Sequence, residues 1–103
     1  MYSRVTQLEI DTMRVGVDDA TAIFREGVVP HLREQEGYEG GFALVTPEGK
    51  GMIVTFWETE EEAKDVSGFA SAELARYVTM FSSAPGRECY EVAYSDLAGD
   101  LVR

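Results

Sequence analysis

From Tyr2 to Ile10 the side chains alternate, placing Tyr2, Arg4, Thr6, Leu8 and Ile10 on one face with the two-residue period of a strand. The period then lengthens. Ile23, Phe24, Val28, His31 and Leu32 recur at three- and four-residue spacing, the stripe of an amphipathic helix, with Asp18 or Asp19 placed to cap its start. Pro30 lies inside this helix and has no N–H for the carbonyl of Glu26, which predicts a bend. Gln35 to Ala63 then reads as helix end, strand, turn, strand and helix start. Gly37 suits a left-handed helix cap, and Pro47-Glu48-Gly49 suits a turn between two apolar runs. The second run sets Met52, Val54 and Phe56 on one face and Ile53, Thr55 and Trp57 on the other. Both faces are largely apolar, so both call for cover.

Thr59-Glu60-Glu61-Glu62 opens a second helix. The Thr59 hydroxyl can accept the Glu62 N–H while the Glu62 carboxylate reaches back in a capping box. Ala63, Val66, Ala70, Tyr77 and Phe81 mark its buried stripe, Gly68 predicts a break into two pieces, and Pro85-Gly86 ends it. Glu88 to Tyr94 alternates as a last strand, with Tyr90, Val92 and Tyr94 opposite Cys89, Glu91 and Ala93. The order β-α-β-β-α-β describes one ferredoxin-like α+β domain over residues 1–103. Two helices on one side of four strands leave the other sheet face bare, which predicts a homodimer through the Met52-Val54-Phe56 face.

Composition narrows the partners. Hydrophobic residues at 45% and charged residues at 27% suit a globular chain rather than a disordered one. A net charge of −10 opposes binding to phosphate backbones or anionic membranes, so neither nucleic acid nor a membrane is expected as a partner. Cys89 is the sole cysteine, which rules out an intrachain disulfide, and the N-terminus reads as a strand rather than a signal peptide. A cytoplasmic location is the expectation. One histidine and one cysteine among scattered carboxylates make no metal site, and Gly40-Gly41 lacks the lysine and helix start of a phosphate loop.

The element order, the phrase Phe56-Trp57-Glu58-Thr59-Glu60-Glu61-Glu62-Ala63, Val29-Pro30-His31-Leu32 and the turn Gly37-Tyr38-Glu39-Gly40 resemble the antibiotic biosynthesis monooxygenase-like family of dimeric α/β barrels. The resemblance runs from Tyr2 to Tyr94. It implies a ferredoxin-like subunit pairing sheet to sheet, and a cofactor-free oxygenase for a small aromatic or quinol-type molecule. The haem-degrading branch of that family uses an asparagine on the first strand and a tryptophan and histidine on the second helix. This chain has no asparagine, no histidine after His31, and its one tryptophan precedes that helix. The branch acting on polyketide phenols resembles it at Trp57, but has an asparagine where Ile53 stands, and Ile53 cannot donate to an oxyanion.

Each candidate residue also has a plain structural role. His31 is the only imidazole, a group that titrates near ~6.5 and suits a proton shuttle, and it is the candidate base. A histidine bonded to a backbone carbonyl is the alternative. Trp57 is a candidate wall for a planar ligand, or a large residue closing strand against helix. Tyr77 can hold a ligand oxygen, or pack with its hydroxyl at the rim. Phe24 and Ile53 complete the substrate contacts expected between sheet and helices. In the implied reaction the protein removes a proton from an acidic phenol and the electron-rich substrate itself reduces O₂, with no metal or flavin required. A binding or structural homodimer without catalysis is the rival reading, favoured by Ile53. An isomerase or decarboxylase, which needs a base but no oxygen, is a third.

Overall fold

The computed structural model describes residues 1–97; the end of the domain expected over residues 1–103 lies outside them. Strand β1 (Tyr2–Glu9) leads to helix α1 (Val17–Ile23), which runs through a π-helical turn (Phe24–Val28) into α2 (Val29–Arg33). Strands β2 (Tyr38–Val45) and β3 (Lys50–Trp57) form a hairpin. Helices α3 (Glu60–Ala63) and α4 (Phe69–Arg76), a short 3₁₀ turn (Val78–Met80) and strand β4 (Gly86–Glu91) complete the chain. The sheet is antiparallel in the order β2-β3-β1-β4, with Val5 opposite Val54 and Arg4 opposite Cys89. This is the ferredoxin-like α+β arrangement. No helix among the described residues is long and apolar enough to cross a membrane.

The register sorts the side chains. Arg4, Thr6, Leu8 and Ile10 of the first strand lie beside Ile53, Thr55 and Trp57 of β3 on the face that carries the helices. Val5, Phe42, Met52, Val54 and Phe56 lie on the other face, where the Phe42 and Phe56 rings meet at 5.9 Å. No helix among the described residues covers that side. The core beneath the helices centres on Leu32, Trp57 and Ala63, with Phe24, Val28, Tyr38 and Phe69 packed around them. Tyr38 meets Trp57 edge to face at 5.3 Å.

The turn at Pro47-Glu48-Gly49 forms as expected, with Gly49 at φ 100° and its N–H donating to the Thr46 carbonyl at 3.0 Å. Gly37 has the left-handed φ of 80° expected of a helix cap. A second constraint acts there: a Cβ at Gly37 would collide with the Glu62 carboxylate. That carboxylate is already committed to the capping box, in which Glu62 N donates to Thr59 Oγ1 and Thr59 N donates to Glu62 Oε1 at 3.0 Å.

Four boundaries differ from the expectation. The first helix is capped by Gly16, whose carbonyl accepts the Ala20 N–H at 2.9 Å, and Asp18 and Asp19 sit inside its first turn. The turn closed on the Asp11 carbonyl delivers the chain into the helix two residues early. The second helix breaks at Gly68 (φ 79°) as predicted, but its stripe does not run through the break, and Val66 is 73% exposed. It also ends at Arg76 rather than at Pro85, and Phe81 then bridges to Ile10 as extended chain. Strand β4 stops at Glu91, paired with Tyr2, instead of reaching Tyr94, and one further backbone hydrogen bond, Val92 N–H to the Met1 carbonyl at 3.0 Å, follows it.

Pro30 acts through the helix register. The π turn lets Val29 N–H donate to the Phe24 carbonyl, five residues back, so the carbonyl ladder is re-spaced just before the proline. A wider turn delays the apolar stripe, and Phe24, Val28 and Leu32 turn inward while His31 turns toward α4.

Asp65 fastens the second helical layer to the sheet. Its side chain is 3% exposed and takes a backbone φ of 60° in the turn between α3 and α4. The carboxylate accepts the N–H groups of Ala70 (2.9 Å) and Ser71 (3.0 Å), capping α4 where Gly68 has no side chain to do so. It also meets Arg87 of β4 at 3.0 Å and Arg4 of β1 at 3.6 Å. Burial alone would push this carboxyl up. The two backbone N–H groups, the Arg87 hydrogen bond and the Arg4 charge outweigh that and hold it below the ordinary carboxylate range.

Replacing Asp65 with Asn keeps the tolerated φ but leaves two arginines without their charge partner, so Asp65→Asn should cost about 3–5 kcal/mol at pH 7. A depressed native pKa stabilises the fold fully above the unfolded value of about 3.9 and ceases to do so as pH falls through the native one. Urea unfolding from pH 7 to 2 should therefore show a mutant deficit that is constant above about pH 4 and shrinks below it. Thr59→Ala removes the reciprocal cap of α3 and should cost about 0.5–2 kcal/mol in the same assay. Coincident midpoints would place the helix start elsewhere.

Candidate functional site

Between the sheet and the helices lies a cavity of about 120 Å³, floored by Thr6, Leu8, Gly51, Ile53 and Thr55 and roofed by Phe24, Val28, Leu74, Tyr77 and Phe81. A cavity of ~150 Å³ can hold benzene, so the space here suits a single ring. Its wall is mostly hydrocarbon, with few polar groups: Arg4, Thr6, Thr21, Thr55, Glu73 and Tyr77. A few oriented polar groups in an apolar hollow is the general make-up of a small-molecule site.

Three of the sequence-predicted contacts, Phe24, Ile53 and Tyr77, stand on this wall. Tyr77 follows α4 directly, and its hydroxyl reaches over the π turn, 3.0 Å from where a Cβ on Gly27 would sit. The other two are placed elsewhere. Trp57 is 3% exposed and belongs to the core, its Nε1–H donating to Thr55 Oγ1 at 2.8 Å and its ring stacked under the Arg4 guanidinium at 4.6 Å. His31 does not line the cavity. Its side chain is 45% exposed, and its Nδ1 faces Glu73 Oε1 of α4 at 3.5 Å.

Two functional candidates emerge only from the structure. Glu73 lies on the cavity wall with its side chain 13% exposed; Arg76 reaches Oε1 at 3.3 Å, while Oε2 is buried without a hydrogen-bond partner among the described residues. A signal existed in the sequence: Ala70, Glu73 and Tyr77 fall on one helical face, so a carboxylate interrupts an otherwise apolar stripe. Arg4 is the second. It lies 4% exposed beneath the cavity, where burial lowers its guanidinium from the ordinary value and Asp65 pulls the other way; an arginine remains a cation throughout. With Asp65 and Trp57 already engaged, Arg4 has the geometry of a structural cation. Among the described residues no three His, Cys, Asp or Glu side chains gather in a way that would hold a metal ion.

No protein-family model and no curated protein matches this sequence. Solved structures do match its architecture. A protein of unknown function from Nitrosomonas europaea is 23% identical, with 96% of this chain and 95% of that one covered at a TM-score of 0.66. The monooxygenase from ActVA-Orf6 of Streptomyces coelicolor, solved with nanaomycin D, is 19% identical, covers 95% and 92%, and has a TM-score of 0.68. The heme-degrader MhuD from Mycobacterium tuberculosis, solved with two hemes, is 16% identical, covers 93% and 99%, and has a TM-score of 0.66. At these identities the likeness establishes architecture, and the chain has the ferredoxin-like fold of the antibiotic biosynthesis monooxygenase-like proteins.

Proposed function

We propose that this chain is a cofactor-independent monooxygenase-like protein acting on a small aromatic or quinol-type molecule held between its sheet and helices. The observation that carries the reading is the cavity itself: a largely apolar hollow of single-ring size in which Tyr77 and Glu73 are among the few polar groups. Phe24 and Ile53 would pack against the ring. The similar fold of a monooxygenase solved with the ligand nanaomycin D supports a small-molecule reading of the cavity. The chemistry asks little of a protein. A base removes the proton of the activated O–H or C–H group, the resulting carbanion passes an electron to O₂, the radical and superoxide join as a peroxide anion, and the proton held by the base returns to it to give the hydroperoxide. Loss of water from that peroxide leaves one oxygen atom on the ring as a carbonyl. Proton removal is the step a side chain can assist. His31 would serve through Glu73, passing the proton from the buried carboxylate to its own half-exposed ring.

A second reading is a ligand-binding dimer without catalysis. It is favoured by Ile53 on the cavity floor, which offers no donor to an oxyanion, and by the placement of Trp57 in the core. Both readings share a second copy of the chain. Phe42, Met52, Val54 and Phe56 on the helix-free face supply an apolar surface that a symmetric partner would cover.

Sedimentation equilibrium at micromolar concentration should give a species of twice the 11.4 kDa chain mass, and Val54→Lys should dissociate or unfold it by placing an unpaired charge in the contact. A clean single-chain mass for the wild type would refute the dimer. Oxygen uptake with a panel of phenols and quinols tests the chemistry. His31→Ala should lower kcat by about 10²–10⁴-fold with KM little changed, since His31 does not touch the ligand. No uptake by the wild type across the panel would leave the binding reading; uptake unaffected by His31→Ala would keep the enzyme and reject the relay.

A further inference from the structure

Glu73 is a buried carboxylate that is only half used. On Oε1 converge the imidazole of His31 at 3.5 Å and the guanidinium of Arg76 at 3.3 Å. Oε2 is shielded from solvent and has no hydrogen-bond partner among the described residues. Leaving such an oxygen unpaired costs free energy that a donor in the adjoining cavity would recover. Ala70, Leu74 and Phe24 around it are hydrocarbon, and the Tyr77 hydroxyl is the other polar group that this roof offers.

We infer that Glu73 selects the cavity's ligand by its hydrogen-bond donor: the site takes a single-ring molecule bearing an O–H group, a phenol or quinol, and rejects the same ring when that proton is missing. The inference rests on the small-aromatic reading above and sharpens it. An ionised carboxylate is acceptor-only. A phenol or quinol O–H completes it, whereas a quinone carbonyl would set lone pairs against lone pairs. A phenolate would add like charge to the same spot. The consequence for turnover is directional. The hydroxylated, reduced ring is held, and a carbonyl product formed from it loses its anchor and leaves. Sites built to bond a hydroxyl discriminate steeply because the analogue strands the site's own buried group.

Titration of the intact protein with phenol and with toluene, monitored by calorimetry or by protein NMR shifts, tests this, since the two rings differ by a hydroxyl in place of a methyl. An unadorned apolar cavity prefers toluene. This one should prefer phenol by about 10- to 100-fold, the range expected for a hydrogen bond to a charged acceptor. Glu73→Met, which keeps the side-chain length and removes the acceptor, should reverse the order. Glu73→Gln should retain phenol binding at reduced preference through its amide oxygen, and serves if the methionine variant does not fold. A wild type that prefers toluene, or a Glu73→Met variant that still prefers phenol, overturns the inference while leaving the cavity a ligand site. Binding of neither ring to the wild type overturns the small-aromatic reading and the inference with it.

Discussion

One buried carboxylate, Asp65, determines how the two layers of this protein meet. It ties the first strand through Arg4, the last strand through Arg87, and the start of α4 through the Ala70 and Ser71 N–H groups. Arg4 in turn lies over the Trp57 ring, which places the cation between a π face and an anion. A buried pair of this kind contributes little net stability over a hydrophobic replacement, but removing one member is costly, so its effect is to demand one arrangement. That arrangement sets where α4 begins, and hence where Glu73 and Tyr77 fall along the cavity.

The sheet divides the chain's chemistry between its faces. On the helix-bearing side several polar groups are tied down: Thr55 donates to the Arg4 carbonyl and accepts from Trp57, and Thr21 donates to the Val17 carbonyl one turn back. Glu73 Oε2, like His31 Nδ1 and Ser3 Oγ, is a buried atom without a hydrogen-bond partner among the described residues, and of the three residues Glu73 is the one on the cavity wall. The other face has a different character, with Phe42, Met52, Val54 and Phe56 forming an apolar surface that no helix among the described residues covers. One face is suited to a small ligand and the other to a large one.

Alternation and helical spacing in the sequence determined the element types and their order, because side-chain periods of two and about 3.6 follow directly from backbone geometry. They also determined which face of β3 would meet the helices, the Thr59–Glu62 cap, the Gly68 break and the Pro47-Gly49 turn, all of which rest on contacts within a few residues. Phe24, Ile53 and Tyr77 were legible as cavity residues for the same reason: each sits in register with its local stripe. What only the tertiary structure decided involves partners distant in sequence. The pairing of β4 with β1 is one such feature, and the inward phase of the first helix is another, set by a π turn that carries His31 past the cavity to Glu73. Arg4 and Asp65 are separated by sixty-one positions along the chain, and no local period relates them. Their pairing, the burial of Trp57 beneath it and the unpaired oxygen of Glu73 arise when two layers close over one another, since burial and hydrogen-bond satisfaction are properties of the packed molecule rather than of any segment.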